Sequence, residues 1–275
     1  MTTTVDAAAE AAKFKREISE ELAALPERLA LVGVLVAERG PSVTYAEYAQ
    51  RACQELGVDF QLRRATRLDV EDVIQKANLD PAVHGIMVYY PVFGTEQDVY
   101  LRDAVTPGKD FEGLHSFWAR CLYQNRRFLD AARTKKAILP CTPLAVLKLL
   151  AAAGAFAGGE RPLEGRTACV FNRSEVVGRP LASMLAHDGA RVYSFDIDGP
   201  LLFSPPDTLD GAHHVSEVAI DRARALAEAD IIVTGVPSQH FDLIRADEIR
   251  PGSICINFST YRNFAPDIVG KASAF

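Results

Sequence analysis

The residues best suited to chemistry lie in a turn that directly follows an aliphatic segment over residues 167–171. A strand, a tight turn and a helix N-terminus form an anion site, because free backbone N–H groups and the positive end of the helix dipole converge there. We therefore expect a pyrophosphate here, held by Arg173 and by the N–H groups from Ser174 to Gly178. The expected cofactor contacts in this turn are Asn172, Arg173, Ser174, Val177 and Gly178.

A carboxylate follows the next predicted strand, over residues 191–195. Asp196 stands near the spacing at which an acidic side chain holds the ribose 2′-hydroxyl of NAD, and it would repel the 2′-phosphate of NADP. Asp198 is the alternative for this role. The turn holds a single glycine instead of Gly-x-Gly-x-x-Gly, so the generic fingerprint is weak. From spacing alone, Arg173 and Asp196 are equally well explained as solvated loop charges.

A second loop favours the cofactor interpretation. Gly235-Val236-Pro237-Ser238 follows an aliphatic segment, at the carboxyl end of a strand where open α/β sheets bind ligands. We expect Val236, Pro237 and Ser238 to contact the same cofactor.

Four short motifs before residue 144 carry further polar and aromatic side chains. They are Ser42-Val43-Thr44-Tyr45, Val88-Tyr89-Tyr90-Pro91, Lys109-Asp110-Phe111-Glu112-Gly113-Leu114 and Pro140-Cys141-Thr142-Pro143. A lone tyrosine is more often a half-buried core aromatic than a ligand contact, and a carboxylate beside a glycine is often a loop charge. Each motif alone is therefore weak evidence for a binding site.

Alternating helix and strand patterns must position these motifs. In the first half, helices are predicted over residues 5–25, 42–56 and 70–77, with Ser42 as an N-cap and Gly57 as a C-cap, and strands over 29–36, 60–65 and 84–90. In the second half, strands are predicted over 167–171, 191–195, 230–233 and 253–258, and helices over 177–187 and 221–228. This alternation predicts parallel α/β sheets, and the second half resembles a Rossmann unit.

The domain boundary is expected in the glycine-containing loop between a helix ending near residue 153 and residue 165. The predicted domains are residues 1–153 and 154–275. Residues 199–216 form a long irregular insertion that holds His213 and His214 without further ligands at suitable spacing. We expect a surface loop there and no metal site.

Composition narrows the class of protein. The chain has 275 residues, 48% hydrophobic and 24% charged, which suits two globular domains. A net charge of −6 argues against a nucleic-acid partner, and the pairs Arg63-Arg64 and Arg126-Arg127 are expected to be solvated. The apolar runs are too short for a membrane helix, and residues 1–25 resemble no signal peptide. Five cysteines without a CxxC pair are expected to be buried thiols, so the protein is expected in the cytoplasm.

Taken together and in order, the motifs resemble those of methylenetetrahydrofolate dehydrogenases, over about residues 14–275. The resemblance implies an N-terminal parallel α/β domain that binds folate, a C-terminal Rossmann domain that binds NAD, and a cleft between them as the active site. It also implies a homodimer. The family usually continues past the strand near residues 254–258 into a folate-touching loop and a returning helix, whereas this chain stops at Phe275. A shortened chain or a more open folate site is expected.

Within that family the chain looks most similar to the monofunctional, NAD-specific branch. The bifunctional dehydrogenase–cyclohydrolases carry a lysine where Ala49 stands, a glutamine where Tyr89 stands and an aspartate where Glu112 stands. Hydrolysis of the methenyl product requires a group that polarises the folate and manages a proton, and alanine can do neither. Hydride transfer mainly requires alignment of the methylene carbon with the nicotinamide. The resemblance therefore implies a dehydrogenase without cyclohydrolase activity.

The resemblance also implies a role for each site residue. Tyr45 is expected to stack on the pterin or bond to its reacting nitrogens, and Glu112 to accept from the pterin N–H groups. Tyr89 and Pro91 complete the expected substrate site, and Thr142 is expected beside the nicotinamide. Lys109 and Asp110 are expected to hold the shape of their loop, and Cys141 to serve packing. The alternatives are a dehydrogenase for a related pterin carrier and a catalytically silent dinucleotide-binding paralogue.

Overall fold

The structure is a computed structural model and describes residues 2–274. Within that range the chain divides into two compact units. The first is Ala8–Ala119, and the second begins at Arg120 and also takes in the few residues before Ala8. Each unit has its own sheet with helices between its strands, which confirms the predicted α/β class.

The first unit is built on a three-stranded parallel sheet with the strand order β2-β1-β3. Its elements are helix α1 (Ala7–Ala23), strand β1 (Ala30–Leu35), helix α2 (Pro41–Glu55), strand β2 (Asp59–Arg64), helix α3 (Val70–Leu79), strand β3 (Gly85–Val88) and helix α4 (Gln97–Ala104). Helix α5 (Ser116–Tyr123) begins in this unit and ends in the second. The three predicted strands and three predicted helices are confirmed. Helices α4 and α5 were not predicted, because eight residues each give too short a periodic pattern.

Strand β1 is buried on both of its faces, as its aliphatic sequence predicts. Val32 and Val34 pack with Ile74 and Ile86 on one face. On the other face, Leu35 joins a cluster that also holds Ala46, Met87 and Tyr89. The motif at the end of β3 is therefore anchored in the core of this unit.

The start of α2 differs from the prediction. The helix begins at Pro41 with Gly40 as the N-cap, and no side chain caps it. Ser42 lies inside the helix, and its Oγ donates to the carbonyl oxygen of Tyr90 at 3.1 Å. Proline suits the first helical position because its missing N–H is not needed there. The expected C-terminal glycine is confirmed, since Gly57 follows the helix with a φ of +73°.

The second unit is built on a six-stranded sheet with the order β7-β6-β5-β4-β8-β9. Its elements are helix α6 (Cys141–Ala152), strand β4 (Thr167–Phe171), helix α7 (Gly178–His187), strands β5 (Arg191–Asp196), β6 (Gly199–Ser204) and β7 (His214–Glu217), helix α8 (Arg222–Glu228), and strands β8 (Ile231–Thr234) and β9 (Ile254–Asn257). Strands β5, β4, β8 and β9 are parallel. The predicted alternation is confirmed.

The prediction of an irregular insertion over residues 199–216 is wrong. Strands β6 and β7 continue the sheet as antiparallel strands, and β6 buries Phe203 completely. His213 stacks on Phe203 with a ring separation of 5.4 Å, and its Nδ1 lies 3.0 Å from Nε2 of buried His187. Of the two histidines, His214 is exposed, as a surface loop would require, and His213 is not. The pattern was missed because all four residues of β7 are exposed and show no alternation.

The division between the units falls earlier in the chain than residues 153 and 154, where the sequence suggested a boundary. Helix α6 contributes Val146, Leu147 and Leu150 to the core that also holds Ala168 and Val170 of β4. The apolar face of α6 therefore packs in the second unit.

Arg127 was expected to be a solvated charge, but its Nη2 donates to buried Asp188 at 2.7 Å. None of the helices within residues 2–274 combines the length and apolar character that a membrane span requires.

Candidate functional site

The turn between β4 and α7 depends on a glycine at its end. A Cβ atom on Gly178 would lie 1.7 Å from the carbonyl oxygen of Asn172 and 2.5 Å from its carbonyl carbon. Both atoms belong to the backbone, so no side-chain movement would relieve the overlap. Gly178 therefore allows the first turn of α7 to close against the end of β4, as in the tight packing of a dinucleotide-binding turn.

Asn172 joins this turn to the loop after β8. Its φ of +107° is unusual for a residue other than glycine. Its Nδ2 donates to the carbonyl oxygen of Gly235 at 2.7 Å, and its Oδ1 accepts from the Ser174 N–H at 2.7 Å. The two predicted cofactor loops are thus held together by one side chain.

Several backbone donors of the turn are already used inside it. The N–H of Val177 donates to the Ser174 carbonyl at 3.3 Å, and that of Gly178 reaches the Ser174 Oγ at 3.4 Å. The N–H groups of Glu175 and Val176 form no hydrogen bond with residues 2–274. The set of N–H groups available to an anion is therefore narrower than the sequence suggested.

Arg173 points away from the phosphate turn. Its side chain is only 7% exposed, and its Nη1 donates to the carbonyl oxygens of Ser194 at 2.9 Å and Gly199 at 3.0 Å. Its Nη2 pairs with Asp198. Arg173 is thus not a solvated charge, and the expectation that its guanidinium holds a pyrophosphate is not met by these contacts.

Asp196 lies exposed at the end of β5. Its Oδ2 accepts from the Arg173 N–H at 2.6 Å and its Oδ1 from the Ile197 N–H at 2.7 Å. Both bonds fix the direction of the carboxylate, which lines a neighbouring pocket.

This pocket has a volume of about 420 Å³ and lies within the second unit. Its lining is mostly apolar and aromatic: Phe171, Asn172, Ser174, Phe195, Asp196, Ile197, Val236, Pro237 and Phe241. The rings of Phe171 and Phe195 stack 4.9 Å apart. An apolar pocket with one carboxylate in its lining suits an adenosine group, because the base packs on apolar surface while a ribose hydroxyl donates to the acid.

The loop after β8 is held by hydrogen bonds from residues that the sequence did not single out. Asn263 is completely buried, accepts from the Val236 N–H at 3.0 Å and donates to the Val236 carbonyl at 3.1 Å. Ser259 donates to the same carbonyl at 2.8 Å. These contacts join distant parts of the chain, so no local pattern announces them. Pro237 is exposed, and Ser238 is half-buried with its Oγ accepting from His240.

The start of α6 places Cys141 and Thr142 at the surface of the unit. The prediction that Cys141 is a buried packing residue is wrong, because its side chain is exposed. Cys121, Cys169 and Cys255 are buried, and Cys53 is partly so. Exposure of Thr142 leaves it accessible to a ligand of the second unit.

In the first unit, packing brings together two of the predicted substrate residues. Tyr45 on α2 is 45% exposed, and its ring meets that of Tyr89 edge to face at 5.6 Å. Tyr89 at the end of β3 is buried, and its hydroxyl has no hydrogen-bond partner among residues 2–274. Pro91 is exposed just beyond it. Burial, followed by the neighbouring Tyr45 and Glu112, raises the pKa of Tyr89.

Lys109 and Asp110 fix the loop that carries Glu112, as predicted. The carboxylate of Asp110 accepts from the N–H groups of Glu112 and Gly113, each at 3.0 Å, and of His115 at 2.7 Å. Lys109 Nζ donates to three carbonyl oxygens at the end of α3, those of Ala77, Asn78 and Asp80. Lys109 and Asp110 therefore shape the loop, and Glu112 is presented by a rigid backbone.

The carboxyl group of Glu112 is buried among protein atoms, although the residue as a whole is only half-buried. Burial of the carboxyl group, and then the charge of Asp110, raise its pKa to about 8. A carboxyl group of this kind changes its protonation near neutral pH. With the Tyr45 and Tyr89 rings, the unit offers aromatic surface and a titratable hydrogen-bonding group to a flat heterocycle.

Ala49 follows Tyr45 by one helical turn on α2 and is half-buried. Residues four apart on a helix share a face, so any functional group at this position would lie beside Tyr45. Alanine supplies only a methyl group. Elsewhere, no three His, Cys, Asp or Glu side chains of the described chain converge as metal ligands would.

Comparison with known proteins gives two family matches and several relatives that match over most of this chain. Models described as tetrahydrofolate dehydrogenase/cyclohydrolase, catalytic domain and NAD(P)-binding domain, match residues 5–112 and 140–204. A methylenetetrahydrofolate dehydrogenase [NAD(+)] of Dictyostelium discoideum is 41% identical over 264 residues, covering 94% of this chain and 83% of that protein. A bifunctional protein FolD of Acidiphilium cryptum is 31% identical over 274 residues, covering 98% and 85%.

A solved structure agrees with these sequence matches. The NAD-dependent 5,10-methylenetetrahydrofolate dehydrogenase of Saccharomyces cerevisiae matches with a TM-score of 0.91 at 36% identity, covering 99% of this chain and 90% of that one. The likeness extends through both units of the described chain.

Proposed function

The chain belongs to the tetrahydrofolate dehydrogenase/cyclohydrolase family, and from that premise we propose that it oxidises 5,10-methylenetetrahydrofolate to 5,10-methenyltetrahydrofolate with NAD+ as the hydride acceptor. One observation carries the cofactor assignment. The glycine-closed turn after β4 adjoins an apolar pocket with the Asp196 carboxylate at its edge. The apolar surface suits adenine, the Asp196 carboxylate suits the ribose, and the turn at the start of α7 suits the pyrophosphate.

The residues of the second unit fit NAD in the following way. The unused N–H groups of Glu175 and Val176 would hold the pyrophosphate at the positive end of α7, and Asp196 would accept from the ribose 2′-hydroxyl. Phe195, Val236 and Pro237 line the adenine pocket, while half-buried Ser238 and exposed Thr142 would contact the remainder of the cofactor. When bound, NAD+ supplies a nicotinamide ring that accepts a hydride.

The first unit binds the folate through Tyr45, Tyr89, Pro91 and Glu112. Tyr45 offers an exposed aromatic face for stacking, and its contact with Tyr89 restricts its motion. Glu112 in its ionised form accepts from the N–H groups of the pterin. These residues orient the methylene carbon, and orientation is the larger part of what hydride transfer requires from a protein.

The same residues support a monofunctional enzyme. Cyclohydrolysis needs a group that donates to the folate and also carries a proton, and Ala49 supplies none beside Tyr45. The identity to the Dictyostelium NAD(+) dehydrogenase, 41%, exceeds that to the bifunctional Acidiphilium protein, 31%. We propose that methenyltetrahydrofolate leaves this protein without being hydrolysed.

Location and assembly are proposed from the state of the cysteines and from one edge of the six-stranded sheet. The five cysteines, all within the described residues, are free thiols, as suits the reducing cytoplasm. Strand β7 is an edge strand whose four residues are all exposed, and such an edge is a ready surface for pairing with a second copy. We propose a cytoplasmic homodimer.

The function is tested by following NADH absorbance with methylenetetrahydrofolate and each of the two cofactors. The wild type should use NAD+ far better than NADP+. Asp196→Asn keeps an acceptor for the backbone N–H groups but removes the charge, so its preference for NAD+ should narrow about tenfold. Asp207→Asn, an exposed carboxylate paired with His214, serves as the control and should behave as wild type. Absence of NADH with the wild type would favour the silent paralogue.

A further inference from the structure

Arg173 places a buried cation at the turn between β5 and β6, the turn that also carries Asp196 and Ile197 of the adenosine pocket. In the chain it lies between two residues that line the adenosine pocket, Asn172 and Ser174, and its backbone N–H is bonded to Asp196 at 2.6 Å. Its guanidinium is held at the turn between β5 and β6 by the Ser194 and Gly199 carbonyls. These hydrogen bonds fix the position of the guanidinium.

A guanidinium in this region is an unexpected feature for a site that uses NAD. Arginine close to the ribose accommodates the 2′-phosphate of NADP, because its planar donors match phosphate oxygens. A site with Asp196 and an uncompensated Arg173 would therefore carry opposing preferences. The structure shows what compensates the arginine: Asp198, whose side chain is 73% exposed, forms an ion pair with Nη2.

We propose that Asp198 is a specificity-determining residue that neutralises Arg173 and so withholds it from the 2′-phosphate of NADP. The assignment rests on the proposed NAD-dependent function. It differs from the role of Asp196, which contacts the ribose directly. Asp198 acts through Arg173, and its removal changes the charge offered to a 2′-phosphate while leaving the ribose acceptor in place.

The hydrogen bonds predict what happens when Asp198 is removed. Nη1 keeps its two carbonyl acceptors, at 2.9 and 3.0 Å, so the guanidinium stays where it is. Nη2 loses its carboxylate partner and gains the freedom to donate to a phosphate oxygen. Because Asp198 is mostly exposed, its substitution leaves the core of the unit untouched.

The test measures binding of two nucleotides that differ only in the 2′-phosphate, adenosine 5′-monophosphate and adenosine 2′,5′-bisphosphate, by calorimetry on the full chain. Asp198→Ala should bind the bisphosphate about tenfold more tightly than wild type, with the monophosphate unchanged within about twofold, and the gain should shrink as salt is raised. Asp207→Ala removes the same unit of charge elsewhere in the second unit and should show no gain. An unchanged ratio in Asp198→Ala, or an equal gain in Asp207→Ala, overturns the proposal.

A second variant identifies the group that Asp198 controls. Adding Arg173→Gln to Asp198→Ala should abolish the gain, whereas a gain that persists would overturn the role of Arg173. Circular dichroism and monophosphate binding report whether this double variant is folded. If it is not, the salt dependence of Asp198→Ala decides, since a salt-independent gain contradicts a freed cation.

The calorimetry needs no turnover, so it separates the inference from the function on which it builds. A wild type that forms no NADH, together with a gain in Asp198→Ala, refutes the dehydrogenase proposal and supports the control of Arg173. Normal NADH formation in the wild type, together with no gain in bisphosphate affinity in Asp198→Ala, supports the dehydrogenase proposal and refutes the control of Arg173 by Asp198. In the active enzyme, Asp198→Ala should also raise the ratio of kcat/KM for NADP+ to that for NAD+ by about tenfold.

Discussion

Two acidic residues of this protein stand in contrasting surroundings, and their proposed roles follow from that contrast. Asp196 is exposed and is directed by two backbone N–H groups toward the rim of an open pocket. Glu112 is presented by a rigid loop, and its carboxyl group lies in crowded surroundings close to a second acid, Asp110. The first is suited to a permanent acceptor for a hydroxyl group, whereas the second is suited to a group whose protonation changes near neutral pH.

The pKa of about 8 for Glu112 predicts how substrate capture depends on pH. Below that value the carboxyl group is neutral, and above it the carboxylate can accept from the pterin N–H groups. We therefore expect kcat/KM for methylenetetrahydrofolate, at saturating NAD+, to rise with pH with a midpoint of about 8, because kcat/KM reports the free enzyme. The measurement is a pH series of initial NADH formation rates.

Glu112→Gln should remove this rise and lower kcat/KM about tenfold against the high-pH value of the wild type, since a charge-assisted bond is lost. Glu17→Gln, an exposed glutamate on α1, is the control and should keep the wild-type profile. A wild-type kcat/KM that falls through the same pH range would mean that the neutral carboxyl group is the binding form.

At the residue scale, sequence reasoning succeeded where a role is local. Lys109 and Asp110 were predicted to shape their loop, and they bond to neighbours within it and to the adjoining helix end. The compensation of Arg173 by Asp198 and the support of Val236 by Asn263 were not predicted. Each joins residues more than twenty positions apart, and nothing in a single sequence marks which distant charge or amide will meet.

At the scale of elements, burial decided which strands and helices the sequence revealed. Strands β1, β4 and β8 are aliphatic because both faces are covered, so their runs were recognised. Strand β7 presents exposed residues and, within residues 2–274, pairs with β6 alone, so it shows no hydrophobic period. Helix α4 buries only Asp98 and Leu101. An element that is held mainly by hydrogen bonds or by a few contacts leaves little periodicity to detect.

The turn between β4 and α7 supports a prediction about Gly178. Gly178→Ala places a Cβ atom 1.7 Å from the Asn172 carbonyl oxygen, so the turn itself must shift. We expect NAD affinity to fall about tenfold or more and the melting temperature to drop by several degrees, on the order of 1 to 3 kcal/mol of lost stability. NADH fluorescence titration and thermal unfolding measure the two effects.

Gly158→Ala is the matched control for this variant. Nothing lies within 4 Å of a Cβ atom at Gly158, and it belongs to the same unit, so both quantities should stay at their wild-type values. Normal NAD affinity in Gly178→Ala would mean that the turn can relax without cost, and that Gly178 is not needed to shape the cofactor site.

At the scale of the whole molecule, the sites of the two units differ in how much of each can be predicted from the sequence. The phosphate turn of the second unit is contiguous, with strand, turn and helix following one another over residues 167–187, so its chemistry could be predicted from sequence. The substrate residues Tyr45, Tyr89 and Glu112 come from three separate segments. Only packing shows that the two tyrosine rings meet. Their roles were inferred from a family resemblance, which supplied what periodicity could not.

The set of reactions available to the whole protein also follows from what stands beside Tyr45. A lysine whose pKa is lowered by burial can both donate to a folate and transfer a proton, which is what hydrolysis of the methenyl group requires. Here the equivalent position on α2 is the methyl group of Ala49. Lys109, another candidate, is fully engaged by three carbonyl oxygens and is not available as a substitute.

We therefore expect the protein to hydrolyse methenyltetrahydrofolate no faster than buffer does. The measurement is the decay of methenyl absorbance with NAD+ omitted, for wild type, Ala49→Lys and a buffer blank, with NADH formation confirming that each preparation is active. Ala49→Lys should gain at most a small rate, because Tyr89 and Glu112 also differ from the bifunctional pattern and residues that act as a unit are not additive. Wild-type hydrolysis about tenfold above buffer would contradict the prediction, since such a rate requires a proton-carrying group that the surroundings of Tyr45 do not provide.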